Sequence, residues 1–198
     1  MSKVVVFTNV TLDGVMQAPG RPDEDRRGGF EHGGWATPFG AMAEAGGTMG
    51  KPMALLLGRR TYDDFHSFWP TQKDSPFSAM LDNMPKYVAS RTLTSPLAWM
   101  NSTLLDGDAA DAVASLKTTL DLDLLIMGSG DLIRSLMRRH VVDEYVLLIH
   151  PLVLGSGRRL FADGGAFAAL QLVESKTTSK GVVIATYHPA GLPSEKPT

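Results

Sequence analysis

The feature that most constrains the fold is a short apolar run followed by glycines and then by a helical pattern. Residues 122–127 (LDLLIM) are predicted to form a buried strand, and residues 131–139 carry apolar side chains on one face of a helix. Gly128-Ser129-Gly130 lies between them. Glycines at such a junction let backbone N–H groups converge at a helix N-terminus, where phosphates bind. The junction predicts an α/β unit, and taken alone it is equally well explained by an ordinary turn.

Strand and helix patterns alternate along the rest of the chain. Strands are predicted at 3–10, 53–57, 86–90, 99–105 and 144–150, and helices at 35–48, 61–68, 77–81 and 108–120. Two final runs, 169–178 and 182–188, predict an antiparallel hairpin. Such alternation favours a largely parallel sheet, which the hairpin makes mixed. We expect one α/β domain over residues 1–190 and a flexible tail at 191–198.

Composition excludes several classes of function. The chain has 198 residues, a net charge of -2 and no cysteine. This charge gives no electrostatic case for binding nucleic acid or an anionic membrane. Without cysteine there is no disulfide, thiol nucleophile or zinc–thiolate site, and we expect no metal centre. The sequence has neither an apolar run of roughly 20 residues nor a signal-peptide pattern, so we expect a cytoplasmic protein.

Two further strand ends carry groups suited to phosphate. Gly58-Arg59-Arg60-Thr61 follows one predicted strand, with Thr61 placed to cap the next helix, and Ser90-Arg91-Thr92 follows another. Arginine holds phosphates through paired hydrogen bonds. A solvated turn explains each site alone, but three such sites would meet at the edge where open α/β sheets bind ligands. The usual dinucleotide fingerprint is absent, because Ile133 stands where its third glycine belongs.

In their order along the chain, four segments resemble the dihydrofolate reductase fold: residues 9–16 (NVTLDGVM), 57–62 (LGRRTY), 90–91 (SR) and 126–130 (IMGSG). Residues 151–161 (PLVLGSGRRLF) are similar to a Pro-x-x-x-Gly-x-Gly-x-x-Leu-Phe segment of a narrower family. That family is the C-terminal reductase domain of the bifunctional riboflavin-biosynthesis deaminase/reductase. The resemblance implies a three-layer fold with helices on both faces of the sheet, and a reductase without the deaminase half.

The resemblance also implies a cofactor, NADPH, bound across the sheet. It places Asn9, Val10 and Met16 beside the nicotinamide, Gly58, Arg59, Arg60 and Thr61 at the phosphates, and Ser90 and Arg91 at the 2′-phosphate. It places Gly128, Ser129, Gly130, Asp131 and Leu132 around the pyrophosphate. The arginines favour NADPH over NADH, because an extra phosphate requires extra cationic contacts. Homodimers are common in this family, so a homodimer is expected here.

Each residue that we expect on the substrate side has both a functional and a purely structural interpretation. Asp13, Phe30 and Trp35 are candidate substrate contacts, although a turn residue and two packed rings explain them comparably. Glu44, the one acid of the helix predicted at 35–48, is the candidate catalytic carboxylate, and a solvated helix residue fits as well. Folate reductases carry their carboxylate where this chain has Gly40, which counts against folate chemistry.

Three functions stay open at this point, besides a flavin-dependent variant that a yellow purified protein would indicate. One is NADPH-dependent hydride transfer to a small heterocycle, similar to that of 5-amino-6-(5-phosphoribosylamino)uracil reductase. A second is dihydrofolate reductase, and a third is a non-catalytic nucleotide-binding protein on the same fold. Loss of NADPH absorbance with dihydrofolate would support the second, and NADPH binding without turnover would support the third.

Overall fold

The computed structural model describes residues 1–45 and 53–191. In this part of the chain the strands are β1 (Val4–Thr11), β2 (Met53–Gly58), β3 (Lys86–Ala89), β4 (Ser102–Leu105), β5 (Asp123–Met127), β6 (Glu144–His150), β7 (Ala169–Thr177) and β8 (Val183–Ala190). The α-helices there are α1 (Ala41–Ala45), α2 (Arg59–Phe68), α3 (Pro76–Asn83), α4 (Ala109–Thr119) and α5 (Gly130–Arg138). None of the described helices is long and apolar enough to cross a membrane.

A mixed sheet joins all of these strands in the order β4-β3-β2-β5-β1-β6-β8-β7. Strands β1 to β6 are parallel, β8 is antiparallel to β6, and β7 is antiparallel to β8. The predicted mixed sheet with a C-terminal hairpin is therefore confirmed. Parallel strands end at the same edge, so the segments that follow β1, β2, β3 and β5 meet there.

Alternate residues of the parallel strands are buried on opposite faces of the sheet. Val4 and Val6 pack in a cluster that includes α4 and α5, through residues such as Val113 and Ile133. Val5 and Phe7 pack in a second cluster with residues of α1, α2 and α3. Since successive side chains of a strand point to opposite faces, a continuous apolar run buries both. The predicted three layers are confirmed.

The helix predicted at 35–48 is wrong in its extent. Residues 37–39 form a 3-10 turn with Pro38 in it, and Gly40 follows in the left-handed region at φ 64°. Gly40 interrupts the helical path, so α1 begins at Ala41 rather than at 35, and its described part is Ala41–Ala45. The predicted end of this helix at residues 46–48 lies outside the described residues, as does the tail at 192–198.

Three other predicted boundaries change. Helix α2 begins at Arg59 with Gly58 as its N-cap, so Thr61 lies inside the helix and the prediction that it caps is wrong. Strand β4 begins at Ser102 rather than at 99, because Trp99 is buried and its N–H donates to the Tyr62 hydroxyl at 2.8 Å. Strand β8 continues past 188 through Ala190.

The long segment between β1 and α1 packs around a small core of its own. Val15, Ala18, Phe30, Trp35 and Ala36 form this cluster. Gln17 ties the segment together through Nε2, which donates to the carbonyl oxygens of residues 25 and 27 at 3.2 and 3.0 Å. Its Oε1 accepts from the N–H of residue 158 at 2.9 Å. These contacts order one wall of the cleft described next.

Candidate active site

A cleft of about 1100 Å³ opens at the carboxyl ends of the parallel strands. The structure brings thirteen of the residues singled out from the sequence into its lining: Asn9, Met16, Gly58, Arg59, Arg60, Thr61, Ser90, Arg91, Gly128, Ser129, Gly130, Asp131 and Leu132. They come from four strand ends separated by up to 123 residues along the chain, from Asn9 to Leu132. The three predicted phosphate sites, at residues 58–61, 90–92 and 128–130, thus face the same cleft.

Two reciprocal hydrogen bonds join the ends of the adjacent strands β2 and β5. The Gly58 N–H donates to Ser129 Oγ at 2.9 Å, and the Ser129 N–H donates to Thr61 Oγ1 at 3.0 Å. Gly128 and Ser129 both take left-handed conformations, at φ 66° and 55°. A Cβ on Gly128 would lie 3.2 Å from Thr61 Oγ1, so glycine permits this close approach. We call these two bonds the β2–β5 clasp.

The clasp sets two helix N-termini side by side. No side chain in residues 1–45 or 53–191 caps the N-terminus of α2 or of α5. In the described part of the chain, no acceptor pairs with the first three N–H groups of α5, those of residues 130–132. Helix α4 differs, because its N-cap Asp108 accepts from residues 110 and 111. Unsatisfied N–H groups and the helix dipole make such a terminus attractive to anions.

Seven arginines line the cleft: Arg26, Arg27, Arg59, Arg60, Arg91, Arg134 and Arg158. Four of them have carboxylate partners, through Asp25, Asp63 and Asp131. Among the residues that the structure describes, no carboxylate pairs with Arg26, Arg60 or Arg91. The cleft therefore holds guanidinium groups free to bind an anionic ligand.

The end of β3 contributes a turn next to Arg59. Gly58 pairs with Ala89, so Arg59 and Ser90 emerge from neighbouring strands. The Arg59 Nη1 donates to Thr92 Oγ1 at 2.5 Å, and Ser90 Oγ accepts from the N–H groups of residues 92 and 93 at 3.1 and 3.0 Å. These bonds hold the turn while Arg91 stays exposed. Two guanidinium groups consequently flank one corner of the cleft.

The negative charge of Asp131 is matched by two arginines. Asp131 forms ion pairs with Arg134 and, at 3.2 Å, with Arg158. Arg158 is brought there by the segment after β6, which runs beside the segment after β1. The acid at the N-terminus of α5 therefore leaves the adjacent N–H groups in a neutral to positive surrounding.

Several residues assigned to the substrate side lie elsewhere. Asp13 accepts from the Thr11 hydroxyl and from the N–H groups of residues 154 and 155, and these hydrogen bonds, that of Thr11 first, lower its pKa. Phe30 and Trp35 are only 4% and 7% exposed, and Trp35 Nε1 donates to the Gln17 carbonyl at 2.7 Å. All three hold the loops together in this structure, and the rings present no free face to the cleft.

Glu44 and Val10 also lie outside the cleft lining. Glu44 on α1 accepts from the Ser179 hydroxyl at 3.1 Å, in the turn between β7 and β8. Val10 is 6% exposed and packs in the core beneath α4 and α5. The sequence predicts the hairpin but not that its turn packs against α1, so the contact made by Glu44 was not foreseeable.

Sequence reasoning missed a group of polar and apolar residues that line the cleft, including Thr8, Glu24, Met42, Asp64 and Phe65. Glu24 is notable because burial raises its pKa, although the N–H groups of Gly20 and Arg21 donate to its Oε2 at 2.7 and 3.1 Å. It lies in the long loop after β1, where no periodicity indicates which side chains face inward. The length of that loop was the one available signal.

The fold and the cleft define a dihydrofolate reductase-like α/β protein with a phosphate-suited site at its carboxyl edge. The chain belongs to the RibD C-terminal domain family, which it matches over residues 2–184. Membership supports a reductase of the riboflavin-biosynthesis type.

Individual relatives agree with this assignment. The chain is 31% identical over 141 residues to the uncharacterized protein YyaP of Bacillus subtilis (strain 168), covering 68% of this chain and 72% of that protein. A structure of a protein assigned to riboflavin biosynthesis from Shewanella sp. PV-4 has a TM-score of 0.66 at 24% identity, covering 96% of this chain and 100% of that one. A pyrimidine reductase-like protein from Corynebacterium diphtheriae has a TM-score of 0.60 at 12% identity, with 96% and 92% covered. These two structures support the fold.

Proposed function

We propose that this protein is an NADPH-dependent reductase that transfers a hydride to a small heterocyclic substrate, similar to 5-amino-6-(5-phosphoribosylamino)uracil reductase of riboflavin biosynthesis. The observation that carries the proposal is the pair of uncapped helix N-termini joined by the β2–β5 clasp and surrounded by arginines. Backbone N–H groups and unpaired guanidinium groups are the donors that phosphates require.

The residues present fit this cofactor. The N–H groups at the start of α5 would hold the pyrophosphate, and Arg91 with Arg59 would hold the 2′-phosphate. Asn9, near the end of β1, and Met16, after β1, border the part of the cleft next to α5 and α1, where the nicotinamide would lie. When bound, NADPH supplies the hydride, while the protein orients the reactants and excludes water. Folate chemistry is disfavoured, because Glu44 points to the hairpin and not to the cleft.

A proton must accompany the hydride when a C=N or C=O bond is reduced. Glu24 is a cleft carboxyl whose pKa is raised by burial, so it keeps a proton to a higher pH than an ordinary glutamate. The pKa of the cleft carboxylate Asp25 is lowered through its hydrogen bonds to Arg27, in spite of partial burial. Because Glu24 also lines the cleft and its Oε2 is held in place by the N–H groups of Gly20 and Arg21, we propose it as the proton donor of the reaction.

Cofactor preference tests the first part of the proposal. We expect calorimetry to give at least tenfold tighter binding of NADPH than of NADH, and Arg91→Ala to weaken NADPH about tenfold while leaving NADH unchanged. One charge-assisted hydrogen bond contributes about 1.5 kcal/mol or more, which corresponds to that factor. Arg139→Ala is the matched control, since Arg139 pairs with Asp111 away from the cleft. Equal binding of both cofactors, unaffected by Arg91→Ala, would reject the proposed site.

Turnover tests the second part. Oxidation of NADPH should be followed at its absorbance band with pteridines, pyrimidines and phosphorylated riboflavin precursors. With the substrate found in this way, Glu24→Gln should lower kcat roughly a hundredfold without changing NADPH affinity. The wild-type rate should fall as the pH rises through the pKa of Glu24, because the acid form is then lost. A Glu24→Gln enzyme with the same rate and pH profile would contradict the assignment of the proton donor.

A further inference from the structure

His150 ends β6 behind the wall of the cleft, as the predicted strand 144–150 implies, but no sequence pattern indicated its surroundings. It is completely buried, and its Nε2 lies 2.8 Å from Oδ1 of Asn9 on the adjacent strand β1. The rings of Trp35 and Phe39 meet it edge-on, each with its centroid 5.1 Å away. In the described part of the chain, its Nδ1 has no hydrogen-bond partner.

These surroundings decide where the imidazole proton lies. A proton on Nδ1 would be a buried donor without an acceptor, whereas a proton on Nε2 is donated to Asn9 Oδ1. Orphaned buried N–H groups are rare in proteins and costly, and an unused ring lone pair among aromatic edges is the smaller loss. Burial lowers the pKa of His150 to about 4, so the ring is neutral near pH 7. The Nε2–H tautomer is the one this geometry supports.

The direction of this hydrogen bond determines whether the Asn9 side chain offers other groups a donor or an acceptor. With Oδ1 occupied by His150, the amide can turn only Nδ2 toward other groups. That nitrogen has one hydrogen-bond partner among the described residues, the Sδ of Met42 at 3.9 Å, which is a weak acceptor. Asn9 and Met42 both line the cleft. Without His150 the amide would be free to rotate and offer either an acceptor or a donor.

We propose that His150 is a positioning residue that locks the Asn9 side chain so that the cleft presents N–H donors at the end of β1 to a carbonyl oxygen of the ligand. The proposed function identifies that oxygen as the one in the nicotinamide carboxamide, and this identification rests on it. The fixed orientation of the Asn9 side chain, which we call the lock, does not rest on the proposed function, because it follows from contacts within the protein.

The tautomer is tested without any ligand. Nitrogen-15 NMR of histidine-labelled protein at pH 7 should show His150 neutral with the proton on Nε2, with the resonance assigned by its loss in His150→Gln. A proton on Nδ1, or a charged ring at pH 7, would overturn the proposal whatever the protein binds.

Cofactor binding tests the consequence. His150→Leu removes the donor, while His150→Gln retains an N–H group to donate to Asn9. Calorimetry should show NADPH bound about tenfold more weakly by His150→Leu and restored to within threefold by His150→Gln. The ligand 2′,5′-ADP, which lacks nicotinamide, should bind both variants like the wild type. His188→Leu, which replaces a histidine of β8 outside the cleft, should change neither ligand.

The outcomes separate this inference from the proposed function. Wild-type protein that fails to bind NADPH refutes the proposed function and leaves the NMR test to decide the lock. Wild-type binding of NADPH that is unchanged in His150→Leu refutes the lock alone. Equal loss of NADPH and 2′,5′-ADP in His150→Leu, without rescue by His150→Gln, would show a general structural role and also refute it. Circular dichroism and thermal unfolding would verify that each variant is folded.

Discussion

The expected effect of Asp131 on a bound phosphate changes once its neighbours in the structure are known. From the sequence, an acid in the first turn of a helix suits the helix dipole but opposes a bound pyrophosphate. In the structure, Arg134 and Arg158 pair with it, so the N–H groups beside it are not dominated by its charge. Arg134 is predictable from its spacing on one helix, whereas Arg158 arrives from another loop 27 residues away.

His150 provides a residue-scale prediction about stability. Its pKa is about 4 in the folded protein against about 6.5 in an unfolded chain, so the unfolded state binds more protons between these values. Folding should therefore lose about 2 kcal/mol from this group between pH 7.5 and pH 5, and the loss should reverse as the pH rises. Neighbouring Asn9, Trp35 and Phe39 do not titrate in this range.

The measurement is urea unfolding of the wild type and of His150→Gln at both pH values. His150→Gln should lack this part of the pH dependence. The difference in the free energy of unfolding between the two proteins should therefore change by about 2 kcal/mol from pH 7.5 to pH 5. Parallel pH profiles would show that the ring is already charged, or exposed, in the folded protein.

At the scale of elements, the strands other than β4 and the helices α4 and α5 follow their patterns, while α1 and α2 do not begin where expected. Gly40 and Pro38 shorten the first helix, and Gly58 replaces Thr61 as the N-cap of α2. The reasons differ: the left-handed conformation of Gly40 interrupts the first helix, whereas at α2 the Thr61 hydroxyl accepts a cross-strand hydrogen bond instead of capping. The donor of that hydrogen bond is the Ser129 N–H.

The β2–β5 clasp makes an element-scale prediction. Thr61→Val keeps the shape of the side chain but removes the acceptor for the Ser129 N–H. We expect a loss of about 1–2 kcal/mol in the free energy of unfolding, because a partly buried donor is left unpaired. NADPH should also bind more weakly, since the two helix N-termini are no longer held together.

Ser135→Ala is the matched control for this variant. Ser135 lines the cleft from α5, and its hydroxyl has no partner among the described residues. Its removal should leave the urea midpoint and NADPH affinity nearly unchanged. Similar losses in both variants would mean that the clasp has no special role.

At the scale of the whole molecule, β7 forms an outer edge of the sheet. Residues 171–177 of this strand are exposed, and Leu172 and Val173 are 51% and 53% exposed. An open edge strand with exposed apolar side chains is a template for pairing with another chain. The homodimer expected from the family resemblance stays a prediction, and this edge is the surface we assign to it.

Sedimentation velocity checks that assignment. The wild type should sediment as a dimer, and Val173→Lys should shift it to a monomer, because a charged side chain on an edge strand disfavours pairing with another chain. Lys176→Ala, on the same strand, is a control that removes charge and should leave the dimer intact. A monomeric wild type would reject the dimer, and a Val173→Lys dimer would place the interface elsewhere.

Much of the cofactor side could be predicted because it consists of local patterns at strand ends. An apolar run, a glycine and a helix period specify where a junction lies, and parallel strands bring such junctions to one edge. The substrate side could not be predicted in this way. Phe30, Trp35 and Asp13 lie in a loop whose conformation depends on Gln17 and on the segment 152–159.

By itself the sequence determined the order of strands and helices, the mixed sheet with its hairpin, and the three junctions that meet at the cleft. Only the tertiary structure decided that Glu44 faces the hairpin, that Thr61 binds Ser129, and that His150 lies behind Asn9. The physical reason is the distance along the chain over which each kind of interaction acts. Periodicity and turn chemistry act between residues a few positions apart, whereas these contacts join residues 68 to 141 positions apart, and packing alone brings them together.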